Sequence, residues 1–224
     1  MPAACPGRDL FLMAKDYSND LKERIRRMQY VGVKKAFQTI VLFFLAECVY
    51  GADHFVLDPP NTSVTFAVRH LMINNVKGSF TDVSGTIDYD SEDITRSSVD
   101  ATIKSATINT GNADRDKHLR SADFLDVEKF PQIRFKSSRI EKRAENYVAI
   151  GTLTIRGVSR EVVLPFNFLG QIKDPFGHIK IGAEASLTLD RRDYGISWSK
   201  IMDNGGLVVA NEVKIEISFE AVKK

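Results

Sequence analysis

From Phe55 to the C-terminus the chain alternates apolar and polar residues with a period of two. Val64, Phe66 and Val68 interleave with Thr65, Ala67 and Arg69. Val213, Ile215, Ile217, Phe219 and Ala221 interleave with Lys214, Glu216, Ser218 and Glu220. A strand turns successive side chains to opposite faces, so each run buries one face and wets the other. About eight such runs in roughly 170 residues predict an all-β, antiparallel sheet curled around an apolar interior. A closed barrel of about eight strands holds either a packed core or one small ligand. What the chain does therefore turns on whether that interior is filled.

The strands are predicted over about 62–70, 78–89, 97–106, 131–140, 146–155, 160–170, 178–189 and 210–222, with Asp58-Pro59-Pro60-Asn61 breaking the chain ahead of the first. Gly78, Gly85, Gly151 and Gly182 fall in or beside strands, where glycine marks bulges and sharp bends. Arg156-Gly157 and Asp174-Pro175-Phe176-Gly177 read as turns between neighbours. The longest break in the pattern, 107–130, has room for a short helix capped by Asn112 or Thr110. A second irregular stretch covers 190–206. Both are expected to cross the ends of the barrel.

The only long apolar run outside the strands is 36–46, AFQTIVLFFLA. Lys34 and Lys35 precede it and Val49-Tyr50-Gly51-Ala52 follows it, the layout of a secretory signal. It is short for a membrane span, which needs about 20 apolar residues; a buried core helix is the alternative. Met28 begins a well-proportioned helical leader, so residues 1–27 read as a non-native N-terminal extension, 28–52 as a signal peptide and 53–224 as the barrel domain. A periplasmic or secreted location is expected. Glu47 ahead of Cys48 is a poor fit to a lipoprotein signal, which wants a small residue there. Both cysteines, Cys5 and Cys48, precede the strands, leaving the barrel without thiolate or disulfide. Residues 1–52 carry eight Lys/Arg and five Asp/Glu, which leaves 23 basic and 24 acidic residues for the barrel. That balance implies no basic face adequate for nucleic-acid binding.

The inward faces are rich in large apolar side chains: Phe66, Val68, Phe80, Phe124, Ile133, Phe135, Leu153, Leu164, Phe166, Phe168, Ile181, Leu187 and Trp198. Dense core packing accounts for any one of them. Small residues on the same faces, Ala101, Ala149, Gly151, Ala183 and Ala185, remove volume from the middle and favour a cavity that these thirteen would line. Burying a methylene yields about 0.8 kcal/mol, so a chain of roughly 16 carbons could gross about 12 kcal/mol before association costs.

Six motifs in order resemble the YceI-like family: Ser63-Val64-Thr65-Phe66-Ala67-Val68-Arg69-His70-Leu71; Val76-Lys77-Gly78-Ser79-Phe80; Arg115-Asp116-Lys117-His118-Leu119-Arg120-Ser121 with Asp123-Phe124; Phe130-Pro131-Gln132-Ile133-Arg134-Phe135; Gly151-Thr152-Leu153-Thr154-Ile155-Arg156-Gly157-Val158; and Arg192-Asp193-Tyr194-Gly195-Ile196. The resemblance covers essentially all of 53–224. It implies a lipocalin-like barrel that binds polyisoprenoid or similar long-chain lipids in the periplasm or outside the cell.

Two readings stand for the polar cluster in 107–130. In one, Arg115 and Asp116 tie a loop to the barrel end through charge-assisted hydrogen bonds. In the other, Asn112, Arg115, Asp116 and His118 sit at the cavity mouth and touch a lipid head group. No metal site is expected, because metal-ligand spacings are absent. No catalytic residue is assigned, because no nucleophile has a base beside it. The chain is thus expected to sequester or carry a long-chain isoprenoid without a required cofactor. A bound quinone would be a ligand and would connect the protein to membrane redox partners, and a homodimer is compatible with such barrels. Two alternatives remain open: an enzyme acting on a lipid in the same cavity, through His70, His118 or Asp116, and a stress-response structural protein with a filled barrel.

Overall fold

Period-two alternation becomes eleven strand segments in the computed structural model, which describes residues 22–24, 26–27, 51–201 and 208–224. The expected leader lies outside these residues but for Gly51 and Ala52, as does most of the expected extension; 22–24 and 26–27 are helical. Residues 1–50 and 51–224 form separate units. The second, taken by itself, contains β1 (Asp53–Leu57), β2 (Ser63–His70), β3 (Asn74–Phe80), β4 (Val83–Tyr89), β5 (Ser98–Lys104), β6 (Ile108–Asn109), the helix α1 (Ala113–Arg120), β7 (Gln132–Arg143), β8 (Asn146–Ile155), β9 (Val158–Lys173), β10 (Ile179–Asp190) and β11 (Val209–Lys223).

All pairings are antiparallel, and the sheet closes where β1 meets β11. The closed ring is β1, β4, β5, β7, β8, β9, β10 and β11, while β2, β3 and β6 extend it from β11. The extension is easily understood. β11 pairs with β1 through Leu57↔Ala221 and then with β2 through Ser63↔Ser218, so β1 and β2 are one long stave bent at Asp58–Asn61. In the same way β3 and β4 form a second stave and β5 and β6 a third. Eleven segments thus make eight staves in up-and-down order, joined by short connections except for two longer crossings, the one that carries α1 and the one between β10 and β11.

Two segments fall outside the strands expected from the sequence: β6, two residues within the 107–130 break, and β1, only five residues before a Pro-Pro corner. The partners of β1 hold it: Asp58 N donates to Glu220 O at 2.8 Å, and Lys180 Nζ bridges Asp58 and Glu220 at 3.1 and 2.9 Å. Asn61 and Lys180 donate to the Asp58 carboxylate and hold its pKa below the ordinary value. Bulges shift the register between Ser137 and Arg139, Gly182 and Ala183, and Val209 and Val213. The first two add one residue to a strand and the third adds two to β11, and each increases the bend that a closed sheet requires.

Turn chemistry is sound at β8–β9, where Arg156 and Gly157 have φ of 50° and 74°, the left-handed pair that two-residue hairpins favour. The β2–β3 hairpin is different. Ile73 N donates to His70 O at 3.2 Å, and the two central residues are Leu71 and Met72 with φ of 51° and 62°. Bulky side chains in that region cost roughly 1–2 kcal/mol each.

The core has two clusters. One, at the β1 end, includes Phe55, Leu57, Ile87, Tyr89, Ile181 and Ala221. The other, at the α1 end, includes Ile108, Phe124, Leu125, Ile133, Tyr194 and Ile196.

Two outcomes follow from this framework. A Cβ at Gly151 would lie 2.3 Å from Lys136 O, in the backbone of the bulged β7. Gly151→Val is expected to cost about 1–3 kcal/mol in urea unfolding by forcing the staves apart. At the end of β10 the Asp190 carboxylate accepts from Arg192 N, Nε and Nη2, and the guanidinium holds its pKa down to about 2. Because the folded pKa lies below the unfolded value of 3.8, this contribution is fully present above 3.8 and disappears as pH falls through about 2. Asp190→Asn is therefore expected to make the acid limb of a stability–pH curve shallower over that window.

Candidate functional site

The interior is not filled. A cavity of about 650 Å³ runs inside the barrel, within the range of ligand pockets. Hydrogen bonds around the closed ring keep the wall from collapsing inward, so the void persists as a place for an apolar occupant.

All thirteen apolar residues singled out from the sequence border this one cavity. Phe66, Val68 and Phe80 enter from β2 and β3, Ile133 and Phe135 from β7, Leu153 from β8, Leu164, Phe166 and Phe168 from β9, and Ile181 and Leu187 from β10. Phe124 and Trp198 come from the two end crossings. Ala101, Ala149, Ala183 and Ala185 also face it, and their short side chains widen its middle. Gly151 does not border it, since β7 approaches too closely there.

Sequence reasoning missed other parts of the wall. Val213, Ile215, Ile217 and Phe219 line one side; the alternation in β11 marks their inward direction and could have placed them. Tyr89 and Tyr194 also line the cavity, and burial pushes both phenols above their ordinary pKa. Tyr89 stacks on Phe168 at 5.3 Å and meets Phe55 edge-on at 5.9 Å, which packs the β1 end. Arg191, only 4% exposed, has no sequence signal at all. Its guanidinium donates to Ile196 O at 2.8 Å, Ala210 O at 3.0 Å and Asn211 Oδ1 at 3.1 Å. Those bonds point the charge into the chain and away from an occupant, and desolvation lowers its pKa.

The exposed residues of the lining are Arg69, Asp114 and Arg115 at the α1 end, with Ser98 at the other. The α1 end is therefore the mouth. His118 borders the cavity there, with Nε2 2.8 Å from Asp123 Oδ2. Its ring meets Phe124 and Trp198 edge-on at 5.0 and 4.9 Å, and the latter two rings lie 5.2 Å apart. These three rings form an aromatic cap at the mouth.

The four polar candidates separate. Arg115 and His118 border the cavity, whereas Asn112 and Asp116 do not. Asn112 is the N-cap of α1, and its Oδ1 accepts from Arg115 N at 2.9 Å. Asp116 is buried, and its Oδ1 accepts from Thr110 N at 2.9 Å and Thr110 Oγ1 at 2.6 Å. Arg115 Nε in turn donates to Thr110 Oγ1 at 2.8 Å. A loop with no sheet partner must satisfy its own polar groups, and these two side chains do that work. The loop-tying reading thus describes Asn112 and Asp116, while Arg115 takes part in both the tie and the mouth.

Arginines hold the rest of this end. Arg120 donates to Ala106 O and Ile108 O, each at 2.7 Å. Arg156 donates to Ala122 O at 2.7 Å and to Gly195 O, joining the two crossings. No cluster of three or more metal-ligating side chains occurs among the described residues.

Known proteins share this architecture and sequence. A UPF0312 protein of Serratia proteamaculans is 37% identical over 160 residues, 71% of this chain and 80% of the relative. A UPF0312 protein of Staphylococcus aureus is 34% identical over 75% of this chain and 96% of the relative. The YCEI protein of Campylobacter jejuni superposes with a TM-score of 0.59 at 37% identity, over 70% of this chain and 90% of that one. A polyisoprenoid-binding domain from Saccharophagus degradans, implicated in plant cell wall breakdown, has a TM-score of 0.57 at 13% identity, over 77% of this chain and 99% of that one, a likeness of fold. With a family model for the YceI-like domain matching residues 55–221, the chain belongs to the YceI-like family.

Proposed function

We propose that the barrel holds a long-chain isoprenoid, a polyisoprenoid or an isoprenoid quinone of similar build, and carries or stores it in the periplasm or outside the cell. One observation carries this reading: an apolar cavity of about 650 Å³ whose interior charge, Arg191, is turned onto backbone carbonyls. Such a wall offers contact area and almost no polar partners, which suits a hydrocarbon tail and penalises any ligand with polar groups along its length. The polyisoprenoid binding named for the Saccharophagus fold relative agrees with that chemistry. A polar head belongs at the mouth, where Arg69, His70, Arg115 and His118 border the cavity. Phe124 and Trp198 would lie against the first tail units. The protein acts by binding, and the wall does not require a cofactor.

The His118–Asp123 pair beside the mouth is the observation that favours a second reading, an enzyme acting on the bound lipid. It expects lipid turnover that His118→Ala abolishes with lipid retention intact.

Organic extraction of the purified protein followed by mass spectrometry is expected to yield a long-chain isoprenoid; an extract free of long-chain lipid overturns the reading. Ala101 and Ala185 lie on β5 and β10, on opposite sides of the ring. Replacing both by Phe is expected to lower the extracted lipid several-fold, with a stability change of no more than about 3 kcal/mol in urea unfolding.

A further inference from the structure

The β2–β3 hairpin ends in three consecutive large apolar residues that face water: Leu71 at 39%, Met72 at 57% and Ile73 at 83% exposure. Hairpin tips are normally built from Asn, Asp and Gly, which tolerate left-handed φ and water alike. Here Leu71 and Met72 occupy the left-handed positions, so the tip violates backbone preference and solvent preference at the same residues. Local rules broken together point to a selected feature. The tip is also anchored, since Leu71 N donates to Val208 O at 2.9 Å. It stands at the mouth: Val68 and His70 before it and Val76 after it border the cavity.

The outer wall directly below the tip is cationic. Ala67 pairs with Lys77 on one side and Lys214 on the other, and Arg69 lies two residues nearer the tip. All three cations are exposed, and none forms an ion pair among the described residues. Glu212 and Glu216 flank Lys214 on the same outward face of β11, so the surplus of positive charge is carried by Arg69 and Lys77 on β2 and β3. An apolar tip with cations set behind it matches a bilayer interface, where acyl chains lie beneath anionic head groups.

We propose that the Leu71-Met72-Ile73 tip docks the barrel mouth onto an anionic phospholipid bilayer. The inference rests on the reading that the cavity takes lipid, because docking places the opening against the lipid source. The tip inserts its three side chains below the head groups while Arg69, Lys77 and Lys214 contact phosphates.

The test uses residues 51–224, in which every stave and both core clusters are self-contained, co-sedimented with vesicles. Binding to mixed phosphatidylcholine–phosphatidylglycerol vesicles is expected, weakening with added salt and on pure phosphatidylcholine. The triple change Leu71→Asn, Met72→Gly, Ile73→Ser supplies ordinary turn residues, so its urea midpoint should hold or rise while vesicle binding falls roughly tenfold or more. Lys77→Glu with Lys214→Glu, which leaves the tip intact, should weaken binding to the anionic vesicles alone. Three outcomes overturn the proposal: a wild-type barrel that ignores both vesicle types, a triple variant that binds as well as wild type, or a tip whose removal abolishes only self-association. Extracted lipid is measured in parallel on the same samples. Lipid present without vesicle binding sinks the docking surface and leaves the carrier reading standing, whereas vesicle binding with no extractable lipid sinks the carrier reading.

Discussion

Closure of the sheet through β11 is the constraint on which everything else in this protein depends. β11 pairs along one edge with β10 and along the other with β1 and then β2, so a single strand joins the two ends of the meander. A closed ring has no free edge, and its hydrogen bonds resist inward collapse. Without that support the apolar faces would close on one another and there would be no cavity. The short β1 matters out of proportion to its length, since it completes the ring at the end where Phe55 and Ala221 are wholly buried. The Asp58–Lys180–Glu220 network secures the corner that lets one stave serve as both β1 and β2.

The two ends of the barrel solve different problems. The β1 end is packed by Phe55, Tyr89 and Phe168, whose rings contact one another. The α1 end carries two crossings with little regular structure, and side chains take over the role of the sheet. Arg120, Arg156 and Arg191 each donate to two or more carbonyls, and Asn112 and Asp116 accept from the amides of the 110–116 turn. Planar guanidinium groups suit this task because one side chain reaches several carbonyls with fixed geometry. The result is a mouth whose described loop residues are held by side-chain hydrogen bonds and capped by His118, Phe124 and Trp198, at the end of a barrel made of strands.

Much of this was legible from residue order. The inward faces of β2, β7, β9 and β10 follow from alternation, which is why Phe66, Phe135, Phe166 and Leu187 were placed in one interior. Asn112 as the helix cap and Arg156-Gly157 as a turn follow from local chemistry of the same kind. The fate of Asp116 was not legible, because its burial depends on Thr110 folding back over α1. Arg191 was not legible either, since a charged residue beside Arg192 and Asp193 reads as a solvated turn until the carbonyls of Ala210 and Ile196 close around it. β1 was missed because five residues before two prolines carry too little pattern, and only its pairing with β4 and β11 makes it a strand.

The sequence by itself determined the class of fold and the direction of almost every large apolar side chain, because period two is a property of the extended backbone and needs no partner to be read. It also determined that the family is YceI-like, through motifs spread along the whole barrel. Whether the inward faces meet or stand apart was decided only by tertiary structure. That separation is set by the number of staves, their bulges and the closure through β11, quantities that belong to the assembled ring and to no single strand. The same holds for the mouth: residues distant along the chain, Arg69, Arg115, His118 and Trp198, share it only because two crossings are pulled together by hydrogen bonds that no local pattern encodes.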